Sequence, residues 1–224
     1  MAPMTSRPTD PHLVRADLQR KARRSAESRP VPIRTALEQI RDLLPDGVRS
    51  EIFAGELIVY PPPSARHNIA AGNLRTQLED ELGGGKRGNR RQWLFLIGCG
   101  VYLPKHLCES DEREYVIPDV AGWRVERAPT DLDEGIFEER PDWVCEVLSK
   151  HPKRDRVIKR EVYERMGVPF YWMVDAKARW VDVCSLPSTQ MYQCERHAYR
   201  PTLRAEPFDG FELDLQRVFE VDPE

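Results

Sequence analysis

The chain has 224 residues, of which 40% are hydrophobic and 32% are charged, and its formal net charge is −3 at pH 7. This length fits one domain with a substantial core, or one domain with an additional arm, and is short for two full domains. No apolar run approaches the roughly 20 residues of a membrane helix, and no apolar segment follows the N-terminal arginines as in a secretory signal. These features argue against a membrane or secreted protein and predict a soluble, cytoplasmic one.

The charge of the chain is unevenly distributed. A negative net charge is unusual for a protein that holds nucleic acid by bulk electrostatics alone. Basic residues are nevertheless concentrated in three segments, at residues 15–34, 86–91 and 150–160. Such clusters can form a phosphate-binding face on an acidic protein, although solvated surface charge explains the first two clusters equally well.

The five cysteines are odd in number, and no two of them form a C-x-x-C pair. This spacing indicates neither a disulfide framework nor a zinc ribbon, so we expect reduced thiols that lie mostly in the core. A zinc site built on His106 and Cys108 is disfavoured because no further ligand occurs at a usable spacing.

The N-terminal segment differs in composition from the remainder of the chain. Residues 1–32 contain many proline, arginine and serine residues and little apolar periodicity, which is typical of a flexible arm. We therefore predict a flexible basic arm at residues 1–32 and a single domain at residues 33–224.

The domain is expected to begin with a helix, a hairpin and a second helix. Apolar residues at helical spacing predict a helix from Thr35 that ends before Pro45. Two short runs joined by a glycine within residues 48–60 predict a hairpin. A longer helix is expected at residues 64–82, where a glycine run ends it. Its expected inward residues include Ile69, Leu74 and Leu78.

Runs rich in β-branched and aromatic residues predict the strands of a mixed sheet. These runs span residues 92–102, 115–125, 142–148, 170–174, 180–184 and 190–199. A helix that ends at Met166 separates the third and fourth runs, which predicts a βαβ element. The charged residues 126–140 show no periodicity and are expected to form a mobile loop. A closing helical turn is expected at residues 213–219.

Two carboxylates lie in strands that are otherwise apolar, Asp119 in Val-Ile-Pro-Asp-Val-Ala and Glu146 in Trp-Val-Cys-Glu-Val-Leu. A carboxylate on a buried strand is costly unless a cation or hydrogen bonds compensate it. Mg²⁺ prefers oxygen ligands and often uses one or two protein carboxylates. Two such residues in successive strands therefore predict a shared cation site, whereas the single Asp182 in a later strand is expected to form a salt bridge or to lie at an exposed strand end.

Several motifs together resemble the Uma-type family, whose members are assigned as restriction endonucleases mostly by motif. The resemblance is carried by Pro118-Asp119, residues 141–149 (PDWVCEVLS), Asp155 with Lys159 and Tyr163, and residues 167–175 (GVPFYWMVD). It runs from about residue 35 onwards, and the combination is much more specific than any single motif. The resemblance implies the PD-(D/E)XK nuclease fold, an α/β restriction-endonuclease-like mixed β-sheet flanked by helices, but no known substrate.

The nuclease pattern places a lysine two residues after the second acid, so that both side chains share one face of the strand. Here Leu148 occupies that position. Lys159 is the candidate for the missing amine, because Asp155, Lys159 and Tyr163 are four residues apart and form one stripe on the following helix. The resemblance places the displaced lysine at the same residue, although an ion pair with Asp155 explains Lys159 almost as well.

Three further residues are weaker candidates. Glu56 is either a third acidic group that faces the metal or a surface residue of the hairpin, and Glu51 is another acidic residue of the same hairpin. His67 lies near a helix start, where a histidine is more often a capping or packing residue than a ligand.

The sequence thus predicts a metal-dependent endonuclease whose expected partner is nucleic acid, with double-stranded DNA preferred. Asp119 and Glu146, with the Val147 carbonyl as a further ligand, would hold Mg²⁺ or Mn²⁺, and Lys159 would orient the attacking water. A homodimer would place two sites on the two strands of a duplex, although no sequence feature shows one. The alternative is a catalytically inactive nuclease fold that binds nucleic acid or protein, which Leu148 and the negative net charge favour.

Overall fold

The computed structural model describes residues 35–45, 47–84, 90–108, 111–133, 135–148, 154–188 and 191–220, without the side chains of residues 154–156. The predicted arm at residues 1–32 lies outside the described residues. The helices are α1 (Ala36–Arg41), α2 (Ala65–Leu82), α3 (Arg160–Met166) and α4 (Leu215–Phe219), and a π-helical segment at Arg154–Lys159 leads into α3. The strands are β1 (Ser50–Phe53), β2 (Glu56–Val59), β3 (Trp93–Ile97), β4 (Gly100–Tyr102), β5 (Tyr115–Val116), β6 (Val120–Arg124), β7 (Ile136–Phe137), β8 (Trp143–Val147), β9 (Phe170–Asp175), β10 (Trp180–Ser185), β11 (Gln193–Ala198), β12 (Thr202–Leu203) and β13 (Leu213–Asp214).

The described strands form two larger sheets and a short pair of β12 with β13. One sheet has the order β2-β1-β5-β4-β7, and the other has the order β11-β10-β9-β8-β6-β3. The pair β4 with β7 and the pair β8 with β9 are parallel, and the remaining ladders are antiparallel. Both larger sheets are therefore mixed. The predicted α/β fold, a mixed β-sheet flanked by helices, is confirmed, with two mixed sheets in place of one.

Two of the predicted strands are each divided between the sheets. Residues 92–102 form β3 and β4, and residues 115–125 form β5 and β6, with one member of each pair in each sheet. Gly98 lies at the first division with a φ of 62°, a left-handed conformation that glycine adopts without strain. Pro118 lies at the second division, where it has no N–H to donate to a ladder. The prediction of two continuous strands was wrong, because the chain changes sheets at both points.

Helix α2 packs against β3 and β8 of the six-stranded sheet. Its buried face includes Ala70, Leu74 and Leu78, which are spaced four residues apart and form a stripe. Ile69 was expected to face inwards but is 37% exposed, because it is rotated by about 100° from that stripe. None of the described helices is long and apolar enough to span a membrane.

Strands β8 and β9 form the expected βαβ element with α3 between them. Side chains alternate along β8, so its two faces contact different apolar clusters. Trp143, Cys145 and Val147 lie in the cluster that includes α2, and Val144 lies in the cluster that includes α3. Glu146 therefore projects from the same face as Val144, towards α3.

Residues 126–140, which the sequence predicted to be a mobile loop, are partly structured. Strand β7 within them pairs with β4, and Phe137 is buried against Trp123. The Trp123 indole also donates to the Glu139 carbonyl at 2.9 Å. The sequence therefore did not reveal β7, since a two-residue strand is too short to show periodicity, and the mobility of this loop stays a prediction.

A disulfide corrects the prediction that all cysteines are reduced. Cys184 on β10 and Cys194 on β11 lie directly opposite one another in the antiparallel ladder and are joined. This pairing depends on strand register, which cysteine spacing does not reveal. The remaining cysteines are free, and Cys99 and Cys145 are buried.

Candidate active site

The candidate site lies where the chain passes from β5 to β6, and hence from one sheet to the other. The ladder between β6 and β8 pairs Val120 with Cys145, so one further step brings Asp119 opposite Glu146. Residues opposite one another in an antiparallel pair project to the same face. The Val147 amide donates to Asp119 Oδ2 at 2.8 Å, which joins the two segments at this point.

Glu146 is held by two residues of the helical segment that follows β8. Lys159 Nζ lies 2.9 Å from both carboxylate oxygens of Glu146, and Tyr163 OH donates to Oε1 at 2.6 Å. Glu146 is only 1% exposed and Lys159 only 2%. The structure thus places an ammonium group beside Glu146, although Leu148 occupies the position of the lysine in the nuclease pattern.

The surroundings fix the protonation states of these groups. Burial by itself lowers the pKa of Lys159, but the carboxylates of Glu146 and Glu51 more than offset this effect and raise the pKa above its ordinary value. Burial raises the pKa of the Tyr163 phenol well above its ordinary value, and the charge of Glu146 raises it further. Lys159 is therefore a cation and Tyr163 a neutral donor at neutral pH.

A third buried carboxylate, Glu51 of β1, belongs to the same cluster. Its Oε1 accepts from the Ile117 amide at 2.8 Å and from Lys159 Nζ at 2.9 Å, and Tyr60 OH donates to its Oε2. Lys159 also donates to the Ile117 carbonyl at 3.2 Å. The Ile117 peptide, which directly precedes Pro118, therefore connects the hairpin of β1 to the residues that hold Glu146.

Asp119 contacts a different set of basic side chains. Arg49 Nη1 donates to Asp119 Oδ1 at 2.7 Å, and His67 Nε2 lies 3.1 Å from the same oxygen. Arg49 Nη2 also donates to the Ile117 carbonyl. Burial by itself raises the pKa of Asp119, but the hydrogen bond with His67 and the charge of Arg49 hold it well below its ordinary value. Asp119 is therefore ionised at neutral pH.

The donor chemistry and charge of this cluster fit a hard divalent cation. The carboxylates of Glu51, Asp119 and Glu146 face the permanent cations Lys159 and Arg49, so one negative charge remains before any charge on histidine is counted. Within the part of the chain that the structure describes, no group of three or more His, Cys, Asp or Glu side chains is arranged to hold a metal ion. Mg²⁺ commonly takes only one or two protein carboxylates and completes its shell with water and substrate phosphate.

Several residues selected from the sequence lie together in this cluster. They are Asp119, Glu146, Lys159, Tyr163 and His67. Val147 faces Asp119 with its amide, whereas the sequence suggested its carbonyl as a ligand. Glu56 is exposed at the turn end of β2, where it pairs with Phe53. Asp155 belongs to the residues whose side chains are not described.

Sequence reasoning overlooked Arg49 and gave little weight to Glu51. The two residues are separated by one position, so in an extended segment they project to the same side. That spacing beside a hairpin resembles an exposed strand face, whereas in the structure β1 pairs with β5 and Glu51 is buried. The sequence contained one signal for these two site residues: they carry opposite charges at alternate positions, next to the apolar Ile52.

Comparisons with known proteins agree with this architecture. The family model described as "Uma2: Putative restriction endonuclease" matches residues 37–216. The chain is also similar to the crystal structure of "a putative nuclease belonging to DUF820" from Anabaena variabilis ATCC 29413, with a TM-score of 0.62, 18% identity, and coverage of 82% of this chain and 96% of that chain. At this identity the likeness shows the fold alone. No curated protein matches the chain.

Proposed function

Since the chain belongs to the Uma2 family, which is described as a restriction endonuclease family, we propose that it is a metal-dependent endonuclease that hydrolyses phosphodiester bonds in double-stranded DNA. The observation that carries this proposal is the cluster of buried carboxylates around Lys159 and Arg49. Buried ion pairs are often no more stabilising than apolar side chains of similar volume. Chemistry at the site therefore explains the cluster better than fold stability does.

Asp119 and Glu146 are the proposed ligands of Mg²⁺ or Mn²⁺, with the Val147 carbonyl as a further ligand. A bound ion would polarise the phosphate and lower the pKa of the attacking water. Arg49 and His67 keep Asp119 ionised, and Lys159 keeps Glu146 ionised. Both side chains are therefore available as carboxylates at neutral pH.

Lys159 is the proposed amine of the nuclease pattern. Its Nζ contacts Glu146 and Glu51, so its positive charge is fixed beside Glu146, a proposed metal ligand. A preorganised cation at this position stabilises the transition state, and a water that replaces one of its acceptors would be oriented by it. Tyr163 donates to Glu146 and thereby fixes the orientation of that carboxylate.

The competing hypothesis is a catalytically inactive nuclease fold that binds nucleic acid or protein. Leu148 at the lysine position and the net charge of −3 favour it. The position of Lys159 weakens the first argument, because an ammonium group lies beside Glu146 without a lysine at that position.

Incubation of the full chain with supercoiled plasmid DNA and MgCl₂ or MnCl₂ tests the proposal. We expect nicked and linear products with either ion, no product in EDTA, and no product from Asp119→Asn. Single-stranded DNA and RNA substrates in parallel show whether duplex DNA is preferred. Linear product that forms without a nicked intermediate would indicate two cooperating sites, as in a homodimer. Failure to cleave any of these substrates, with thermal stability unchanged by Mg²⁺, would reject the enzyme in favour of the binding module.

A further inference from the structure

Arg49 and Lys159 both reach the Ile117 carbonyl, but they differ in their access to solvent. The Lys159 side chain is 3% exposed and the Arg49 side chain is 24% exposed. An ammonium group has three N–H donors. Four acceptor atoms of Glu51, Glu146 and Ile117 surround the ammonium of Lys159. The donors of Lys159 are therefore fully engaged within the protein in this arrangement.

Arg49 has a larger set of donors. Its guanidinium carries five N–H groups in a planar fork. Among the described residues, Asp119 Oδ1 receives one of these groups and the Ile117 carbonyl receives another. The Arg49 carbonyl accepts from the Tyr60 amide at 2.9 Å, so the hairpin holds the base of the side chain. The remaining N–H groups belong to a side chain that solvent can reach.

We propose that Arg49 binds the scissile phosphate directly, through the N–H groups that do not donate to Asp119 or Ile117. A guanidinium binds two phosphate oxygens at once, whereas an ammonium acts as a point charge. Arg49 Nη1 lies 2.7 Å from Asp119, a proposed metal ligand, so a phosphate on Arg49 would be adjacent to the metal position. The inference rests on the proposed function, since it presupposes a nucleic acid substrate.

The electrostatic environment keeps Arg49 charged for this role. Burial by itself lowers the pKa of Arg49, but the charges of Asp119, Glu146 and Glu51 raise it above its ordinary value. The same carboxylates would repel a phosphate that approached without a cation between them. Arg49 contacts Asp119 and is more exposed than Lys159, so it supplies such a cation.

The test must separate phosphate binding from structural support of Asp119. Removal of Arg49 alone leaves a buried carboxylate without its charged partner, which can destabilise the fold. The double variant Arg49→Met/Asp119→Asn removes both charges and is compared with Asp119→Asn alone. Binding of a labelled duplex DNA oligonucleotide to each full-length variant is measured without metal, by fluorescence anisotropy over a range of salt concentrations.

The expected result is a change in the salt dependence of binding. The slope of log Kobs against log salt concentration should be less steep by about 0.9 in the double variant than in Asp119→Asn, because one phosphate contact is lost. Arg49→Lys should retain the slope of the wild type, because the charge remains, while its kcat for plasmid cleavage falls by about 10²-fold because the fork is lost.

Arg196 and Asp182 provide a matched control, since they form a salt bridge of 2.6 Å between β10 and β11. The change Arg196→Met in an Asp182→Asn background should leave the slope unchanged. Equal slopes for Asp119→Asn and the double variant would overturn the role of Arg49. In that case, cleavage of DNA by the wild type would show that the nuclease proposal still stands. A wild-type protein that neither binds nor cleaves nucleic acid would overturn both.

Discussion

Lys159 Nζ lies 2.9 Å from both carboxylate oxygens of Glu146, thirteen residues before it in the chain. In the nuclease pattern the amine follows the acid by two residues and shares its face of the strand. Here Leu148 occupies that position, and the ammonium comes from the helical segment that covers β8. The ammonium reaches Glu146 because that segment packs on the face from which Glu146 projects. A departure from the motif in sequence thus still leaves an ammonium group beside the second acid.

Lys159→Met should inactivate and also destabilise the protein. The substitution leaves the buried carboxylates of Glu51 and Glu146 without their shared cation, and breaking a buried pair in this way costs about 3–5 kcal/mol. We expect that loss in the free energy of unfolding measured in urea, and a fall of about 10²-fold or more in kcat for plasmid cleavage. The sequence alone predicts a purely catalytic effect, whereas the burial of Lys159 predicts both.

Lys177→Met is the matched control, because Lys177 is exposed in the turn between β9 and β10. It should leave both the unfolding free energy and kcat unchanged. If Lys159→Met were as stable and as active as the wild type, the ammonium of Lys159 would have neither a structural nor a catalytic role.

The parts of the site that the sequence predicted are those with local signals. Asp119 and Glu146 stand out because each interrupts an apolar run, and the cost of burying a carboxylate makes such a position informative. Lys159 and Tyr163 could be selected because helical periodicity places residues four apart on one face. Each of these signals lies within one segment of the chain.

The parts that the sequence did not predict depend on contacts between distant segments. Arg49 meets Asp119 only because β1 pairs with β5, and the two residues are 70 positions apart. The division of two predicted strands between the sheets is likewise marked in the local sequence only by Gly98 and Pro118. Strand register cannot be derived from periodicity alone, since every register with the same parity buries the same face.

The stability of the protein should decrease below about pH 6.5 because of His197. Burial lowers the pKa of His197 below its ordinary value of 6.5, Glu195 and Asp182 oppose this effect, and Arg200 adds to it. His197 in the folded state therefore binds a proton less readily than in the unfolded state. Its contribution to the free energy of unfolding is complete above pH 6.5 and is lost as the pH falls below that value. Urea unfolding at a series of pH values measures the effect.

His197→Gln should remove this component of the pH dependence. His106, which is exposed, provides the control, and His106→Gln should retain the wild-type profile. If His197→Gln kept the wild-type pH dependence of the free energy of unfolding, other groups would be responsible for it.

Reductant should destabilise the protein by opening the bond between Cys184 and Cys194. The bond closes a loop with a sequence separation of 10, and a loop of this length contributes about 3 kcal/mol through the entropy of the unfolded chain. We expect dithiothreitol to lower the free energy of unfolding of the wild type by up to that amount. Cys194→Ser should be insensitive to reductant, and Cys108→Ser, which changes a free cysteine, should remain sensitive. An unfolding free energy of the wild type that does not depend on reductant would mean that the disulfide makes no contribution in solution.

Binding of a divalent ion should stabilise the wild type and should depend on both Asp119 and Glu146. A ligand that binds only the folded state raises the free energy of unfolding by about 2.7 kcal/mol at a concentration of 100 Kd. We expect Mg²⁺ or Mn²⁺ to raise the Tm of the wild type, and to have no such effect on Asp119→Asn or Glu146→Gln. Asp182→Asn is the matched control, because Asp182 is also a buried strand carboxylate but pairs with Arg196; its Tm should still rise with the ion. An equal rise in all four proteins would indicate an effect of ionic strength, and no rise in the wild type would indicate that no metal ion is held there.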